Sequence, residues 1–295
     1  MTDRVSPRQE QVLTSVLVTG QRPSRLQRQG RYTRESMRHP GKMLPAIASQ
    51  VISAFTEPGD LVIDPMCGIG TTLVEAIHLG RDAAGVEYEP EFVHLTVGNL
   101  RHAHAQGATG TPQVLCGDAR NIAAICAPLR GTAALALTSP PYGSYTHGHV
   151  LSGRDNGGGS VTKRHHRYST DRGNLAHRSL DALLEGFGQI LAGTSTLLRP
   201  AGALAVTVRP IRVKGELIDL PGQIIETAAG HGLVLTGRYA ALLAGLRDRG
   251  LVSRASFFQM LETGRARDKG IPACVTAHED LLILQRAADL PGGGR

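Results

Sequence analysis

Two short segments of this 295-residue chain hold residue types arranged for chemistry. The first is Asp64-Pro65-Met66-Cys67-Gly68-Ile69-Gly70-Thr71, which sits where an apolar strand gives way to a helical pattern. In an open α/β sheet that junction is where ligands bind. Glycines at 68 and 70 let backbone approach a ligand and take positive φ, and the helix that follows offers unpaired N–H groups. The third glycine of a dinucleotide fingerprint is missing. Glu87 ends the next strand, where a carboxylate accepts hydrogen bonds from ribose hydroxyls. Asp118 follows the third strand, placed to accept from an adenine amine. Acidic residues at three successive strand ends are better explained by one nucleoside-type ligand than by three solvated strand ends.

The second segment is Ser139-Pro140-Pro141-Tyr142. Two prolines remove two donors and stiffen the turn, leaving carbonyls free to accept. Ser139 adds a hydroxyl. Such acceptors suit a planar aromatic amine, whose lone pair is delocalised into its ring. Gripping its hydrogens orients it for in-line attack, a reaction that gains mainly from positioning. Tyr142 offers a flat face to an extruded base.

The elements that position these segments follow from periodicity. Helical spacing runs from Lys42 to Phe55, and Pro58-Gly59-Asp60 marks a turn. Short apolar strands are expected at Leu61–Ile63, Ala83–Val86, Val114–Leu115 and Ala133–Leu137, with helices at 71–79 and 91–104 between them. Further on, a helix is expected at 180–198, a strand at 203–208, a helix at 223–229 and strands at 233–239 and 280–284. Strand–helix alternation of this kind predicts an α/β fold with a doubly wound, mostly parallel sheet. Residues 143–177 break the rhythm with a glycine run and the basic cluster Lys163-Arg164-His165-His166-Arg167. Residues 244–270 read as basic and irregular, and residues 1–38 as a basic, partly flexible arm.

Composition bounds the partners. The formal net charge is +7 and the pI about 9.6, which suits a polyanion. Cys67, Cys116, Cys126 and Cys274 form no C-x-x-C pair, so reduced, mostly buried thiols are expected rather than zinc or disulfides. His147, His149, His165 and His166 lie on no shared helix face and lack paired carboxylates, so they read as solvated or phosphate-contacting. Phe257 and Phe258 read as core. No apolar run approaches a membrane span and no leader pattern opens the chain. The expected location is cytoplasmic and nucleoid-associated.

Together the two segments resemble the amino-methyltransferases of DNA. Asp64–Thr71 is similar to that family's cofactor motif and Ser139–Tyr142 to its catalytic motif in the Ser-Pro-Pro-Tyr form. His39-Pro40-Gly41-Lys42-Met43 is similar to the motif packed near the methionine end of the cofactor. Residues 39–145 carry the resemblance well, and Ala277–Leu281 resembles the family's last strand more loosely. The resemblance implies a Rossmann-like class I methyltransferase domain over 39–295 with seven strands. It implies S-adenosylmethionine held by Lys42, Asp64, Pro65, Cys67, Gly68, Gly70, Thr71, Thr72, Glu87, Tyr88, Asp118 and Ala119, with Ser139, Pro140, Pro141 and Tyr142 catalytic and no metal. Tyr145, Lys163, Arg164, Arg167 and Arg254 are expected to contact substrate from the insertions at 143–177 and 244–272. Serine at 139, where adenine-N6 enzymes usually have Asp or Asn, implies cytosine N4 in DNA. Adenine N6 stays open. So does guanine N2 of tRNA, whose enzymes share a similar cofactor loop and a Pro-Pro-Tyr motif. The large recognition domain of restriction-system methylases has no counterpart, which fits a short recognition sequence. The rivals from other classes are a nicotinamide-dependent oxidoreductase and a non-catalytic nucleic-acid binder.

Overall fold

The computed structural model describes residues 14–142, 150–151, 162–163, 168, 171, 173–213, 216–248, 250–255 and 257–291. Among them, eight strands form one central sheet: β1 (Val16–Leu17), β2 (Leu61–Asp64), β3 (Asp82–Glu87), β4 (Pro112–Cys116), β5 (Ala133–Thr138), β6 (Leu198–Val208), β7 (Leu233–Leu242) and β8 (His278–Arg286). Their spatial order is β1-β7-β8-β6-β5-β2-β3-β4. Only β8 runs antiparallel to its neighbours. This is the doubly wound, mostly parallel sheet that the alternation predicts.

Strand residues alternate between the two faces, and helices cover both. On one side Val62, Leu135, Leu281 and Ile283 pack with Ile47, Val51 and Ile52 of α2 (Pro45–Phe55) and with Leu73, Val74 and Ile77 of α3 (Thr71–His78). Leu100 and Ala103 of α4 (Pro90–Ala105) join that side. On the other, Ile63, Ala136, Leu204, Leu282 and Leu284 pack with Phe187, Ile190 and Leu191 of α5 (Leu180–Ser195) and Ile224 of α6 (Leu220–Gly230). Ser179 and Asp219 cap α5 and α6 by accepting from Ala182 N and Gly222 N, which satisfies otherwise orphaned donors.

Three expectations are corrected. The sheet has eight strands rather than seven, because Val16 and Leu17 pair parallel with Ala240 and Ala241. Residues 14–38, expected in the basic arm, join the fold and hold helix α1 (Ser24–Arg28). Glu75 on α3 is buried, and its carboxylate accepts from Arg31 Nε (2.8 Å), Arg31 Nη2 (2.5 Å) and Tyr32 Oη (2.7 Å). Buried Arg28 lies 4.7 Å from the Tyr32 ring centre and donates to the Met43 carbonyl. A buried carboxylate needs such partners, and they hold the segment against α3. Finally, residues 244–270 contain a hairpin of Gly245–Arg247 with Gly250–Val252 and a helix, α7 (Phe257–Asp268). Of the four thiols, Cys67 and Cys126 are buried but Cys116 and Cys274 are exposed. Among the described residues no helix is long and apolar enough to cross a membrane.

Candidate active site

Register brings the chemically equipped residues to one edge. Asp64 pairs with Gly85, Glu87 with Cys116 and Thr138 with Val206, so β2 to β6 end together. Antiparallel β8 begins at that edge, where Asp280 pairs with Val208. The strand ends open onto a cleft lined by Lys42, Asp64, Pro65, Cys67, Gly68, Thr71, Thr72, Glu87, Tyr88, Asp118, Ala119 and Ser139 to Tyr142. The structure therefore gathers the expected catalytic residues and all but one of the expected cofactor residues.

The exception is Gly70. It has φ 77° and caps α3, but its open side faces α4, where an added Cβ would stand 2.6 Å from Thr96 Cγ2. Its glycine serves close helix packing rather than the cleft. Gly68 (φ 56°) does face the cleft, beside His39.

The loop is held by its own carboxylates. Buried Asp64 accepts from Met66 N (3.1 Å) and Thr72 Oγ1 (2.6 Å), fixing the turn to the first turn of α3. Burial pushes its pKa up to about 6 against those hydrogen bonds. Glu87 accepts from Gly68 N (2.8 Å) and Glu89 N (2.9 Å). Burial raises its pKa to about 7, with Glu89 and Asp64 adding to the rise. Each Glu87 oxygen keeps a second lone pair for a ligand. Asp118 is clasped by Arg120, whose Nη2 lies 2.5 Å from Oδ2; that pairing and its bond from Arg120 N hold its pKa down despite partial burial. Lys42 donates to the carbonyls of His39 (2.5 Å) and Met37 (3.2 Å). Burial, with the nearby Arg28 charge, lowers its pKa to about 7.

Some lining residues stand outside the expected site sets, although His39 belongs to the motif expected near the methionine end of the cofactor. His39 and Tyr168 meet edge to face at 5.5 Å, and both touch Phe92. Tyr168 comes from the irregular 143–177 stretch, which offers no periodic signal. Asn174 donates to Glu89 Oε1 (2.7 Å) and Tyr88 Oη to Asp171 Oδ2 (2.7 Å), so this stretch is tied to the end of β3. Thr207 and Glu279 enter from β6 and β8. Of the expected substrate contacts, Arg254 is not brought to the cleft lining. It donates to the carbonyls of Gly20 (3.5 Å) and Gln21 (3.2 Å), tying the hairpin region to the N-terminal segment. Tyr145, Arg164 and Arg167 lie outside the described residues, as does the side chain of Lys163.

A family model for DNA methylases matches residues 4–98. The matched stretch holds the turn at 64–71 and Glu87, so this part of the chain is similar to DNA methylases. The chain is 33% identical over 72 residues to the Type II methyltransferase M2.MboI of Moraxella bovis, which covers 24% of this chain and 26% of that protein. It is 32% identical over 106 residues to the tRNA (guanine(10)-N2)-dimethyltransferase of Methanothermobacter thermautotrophicus, covering 36% of this chain and 29% of that one. It thus spans under a third of the length of these curated relatives. Among solved structures, TrmN from Thermus thermophilus superposes with a TM-score of 0.50 at 15% identity, over 89% of this chain and 53% of that one, a likeness of fold.

The donor set fits S-adenosylmethionine. Glu87 and Asp118 present acceptors for ribose hydroxyls and an adenine amine. The turn at Gly68 and the N-terminus of α3 present backbone and dipole to a carboxylate, with Lys42 on the same wall.

Proposed function

We propose that the protein methylates the exocyclic amine of a base extruded from DNA, with cytosine N4 as the target. One observation carries this reading: Ser139 to Tyr142 line the same cleft as Glu87 and Asp118. The amine-gripping turn and the cofactor contacts therefore face a common space. When bound, S-adenosylmethionine supplies an electrophilic methyl on a positively charged sulfur. The chain's own residues do the rest. Ser139 and the proline carbonyls accept the amine's hydrogens and turn its lone pair toward the methyl. The same acceptors lie where the amine sheds its proton. Tyr142 stacks the base; the Arg209 guanidinium sits 5.4 Å from its ring centre, a cation–π contact that steadies the ring. Ser139 in place of an acidic or amide residue supports cytosine over adenine. The nucleophile is the substrate's nitrogen, so no protein nucleophile or metal is needed.

A second reading is favoured by the tRNA dimethyltransferase match: the same chemistry on guanine N2 of RNA. Incubating the protein with S-adenosylmethionine and separate DNA and tRNA pools, followed by mass spectrometry of nucleosides, decides between them. N4-methylcytosine from DNA is expected. N2-methylguanine from RNA, with DNA unmodified, would overturn the DNA reading.

A further inference from the structure

Glu279 is a carboxyl group that the fold leaves unused. It is the second residue of β8, paired in register with Ala241, and it lines the cleft with Tyr142 and Thr207. Its side chain makes no hydrogen bond or ion pair with a described residue. Its neighbour Asp280 takes Arg238 instead (2.8 Å), and Arg209, the cation that acts on it most, lies over the Tyr142 ring. A desolvated carboxyl without a partner costs stability, and such groups concentrate where a ligand completes them.

We propose that Glu279 reads the ring nitrogen beside the target amine, and that its carboxylic acid form selects a cytosine or adenine edge over a guanine edge. The inference rests on the reading of an extruded base at Ser139–Tyr142. In cytosine and adenine, the ring nitrogen next to the amine is a bare acceptor. The edge is donor then acceptor, which a carboxylic acid complements with its C=O and O–H. On guanine's Watson–Crick edge the neighbouring nitrogen, N1, carries a hydrogen, so that edge is donor then donor and suits a carboxylate; its bare N3 lies on the other side of the amine. The groups facing Glu279 are Tyr142 after β5, Arg209 after β6 and His278 on β8. Burial pushes its pKa up against the pull of Arg209 and then His278, which favours the acid.

The test uses the full chain, S-adenosylmethionine and a DNA duplex that the wild type methylates. kcat/KM is measured against pH for wild type, Glu279→Ala and Glu279→Gln, with cofactor Kd measured by calorimetry as a check on folding. A glutamine amide presents the same acceptor and donor as the acid. Glu279→Ala should lower kcat/KM by about 100-fold, whereas Glu279→Gln should stay within about fivefold of wild type. Wild-type kcat/KM should fall as pH rises through the Glu279 pKa, and Glu279→Gln should lose that fall. Wild-type kcat/KM in Glu279→Ala overturns the proposal. So does a Glu279→Gln variant as poor as Glu279→Ala with cofactor binding intact, because the anion would then be the active form. Failure of the underlying reading is seen separately, in the wild type: label in guanine N2 alone overturns both.

Discussion

Ser139 and Tyr142 stand at the end of a buried strand and touch the cleft without building it. Ser139→Ala and Tyr142→Ala should therefore each lower kcat by about 100-fold or more, as loss of a positioning contact does, with cofactor Kd unchanged within about threefold. Full turnover in both variants would remove the assignment. Asp64 and Glu87 give a second, independent check, through stability. Both have folded-state pKa values above the ordinary carboxylate range, about 6 and about 7. Their contribution is therefore fully present below their unfolded values and is lost as pH rises through the folded ones. The ligand-free protein should lose stability between about pH 4 and pH 7. Measured against Glu87→Gln, which cannot titrate, the wild type should lose about 2 kcal/mol more over that range. A difference that does not vary with pH would show that Glu87 is not held in a desolvated site.

At the scale of elements, Glu75 of α3 is one of the anchors of the N-terminal segment. Glu75 gathers Arg31 and Tyr32, and Arg28 lies beside them. Glu75→Ala leaves the buried Tyr32 hydroxyl and the half-buried Arg31 without their carboxylate. It should cost about 3–5 kcal/mol, read as a lower Tm and as faster amide exchange in residues 14–38. Unchanged exchange there would mean that the pairing is incidental. The elements themselves were unequally legible. Leu61–Asp64, Asp82–Glu87 and the helices between them show in sequence because a two-sided parallel sheet demands apolar runs. The pairing of Val16 and Leu17 does not, because two residues carry no period and their partners lie far along the chain. Helix α7 was read as irregular because Glu262, Arg265, Arg267 and Asp268 leave it little apolar stripe.

At the scale of the whole molecule, topology gathers the insertions. Strand β5 ends, β6 ends and β8 begins at the cleft edge, so 143–177, 209–219 and 243–277 all leave the sheet there. On the proposed reading, a chain with a net charge of +7 would meet the phosphates of its nucleic acid at this edge. Binding to duplex DNA should weaken steeply with salt. The double variant Arg265→Ala/Arg267→Ala, changing two exposed residues of α7, should flatten the log–log salt slope by about two. An unchanged slope would place the DNA elsewhere.

Sequence by itself determined the strand–helix turn at 64–71, the Ser-Pro-Pro-Tyr turn, the sheet class and the acidic strand ends. Each is a local pattern, written within a few residues of a strand–helix junction and enforced by backbone geometry. Tertiary structure decided the rest. It turned Gly70 toward Thr96 and away from the cleft, moved Arg254 to the carbonyls of Gly20 and Gln21, and drew Tyr168 and Glu279 into the wall. Glu279 reaches the cleft only because β8 runs antiparallel and so begins where its neighbours end. Such a meeting depends on strand order and direction, which no local spacing of residues records.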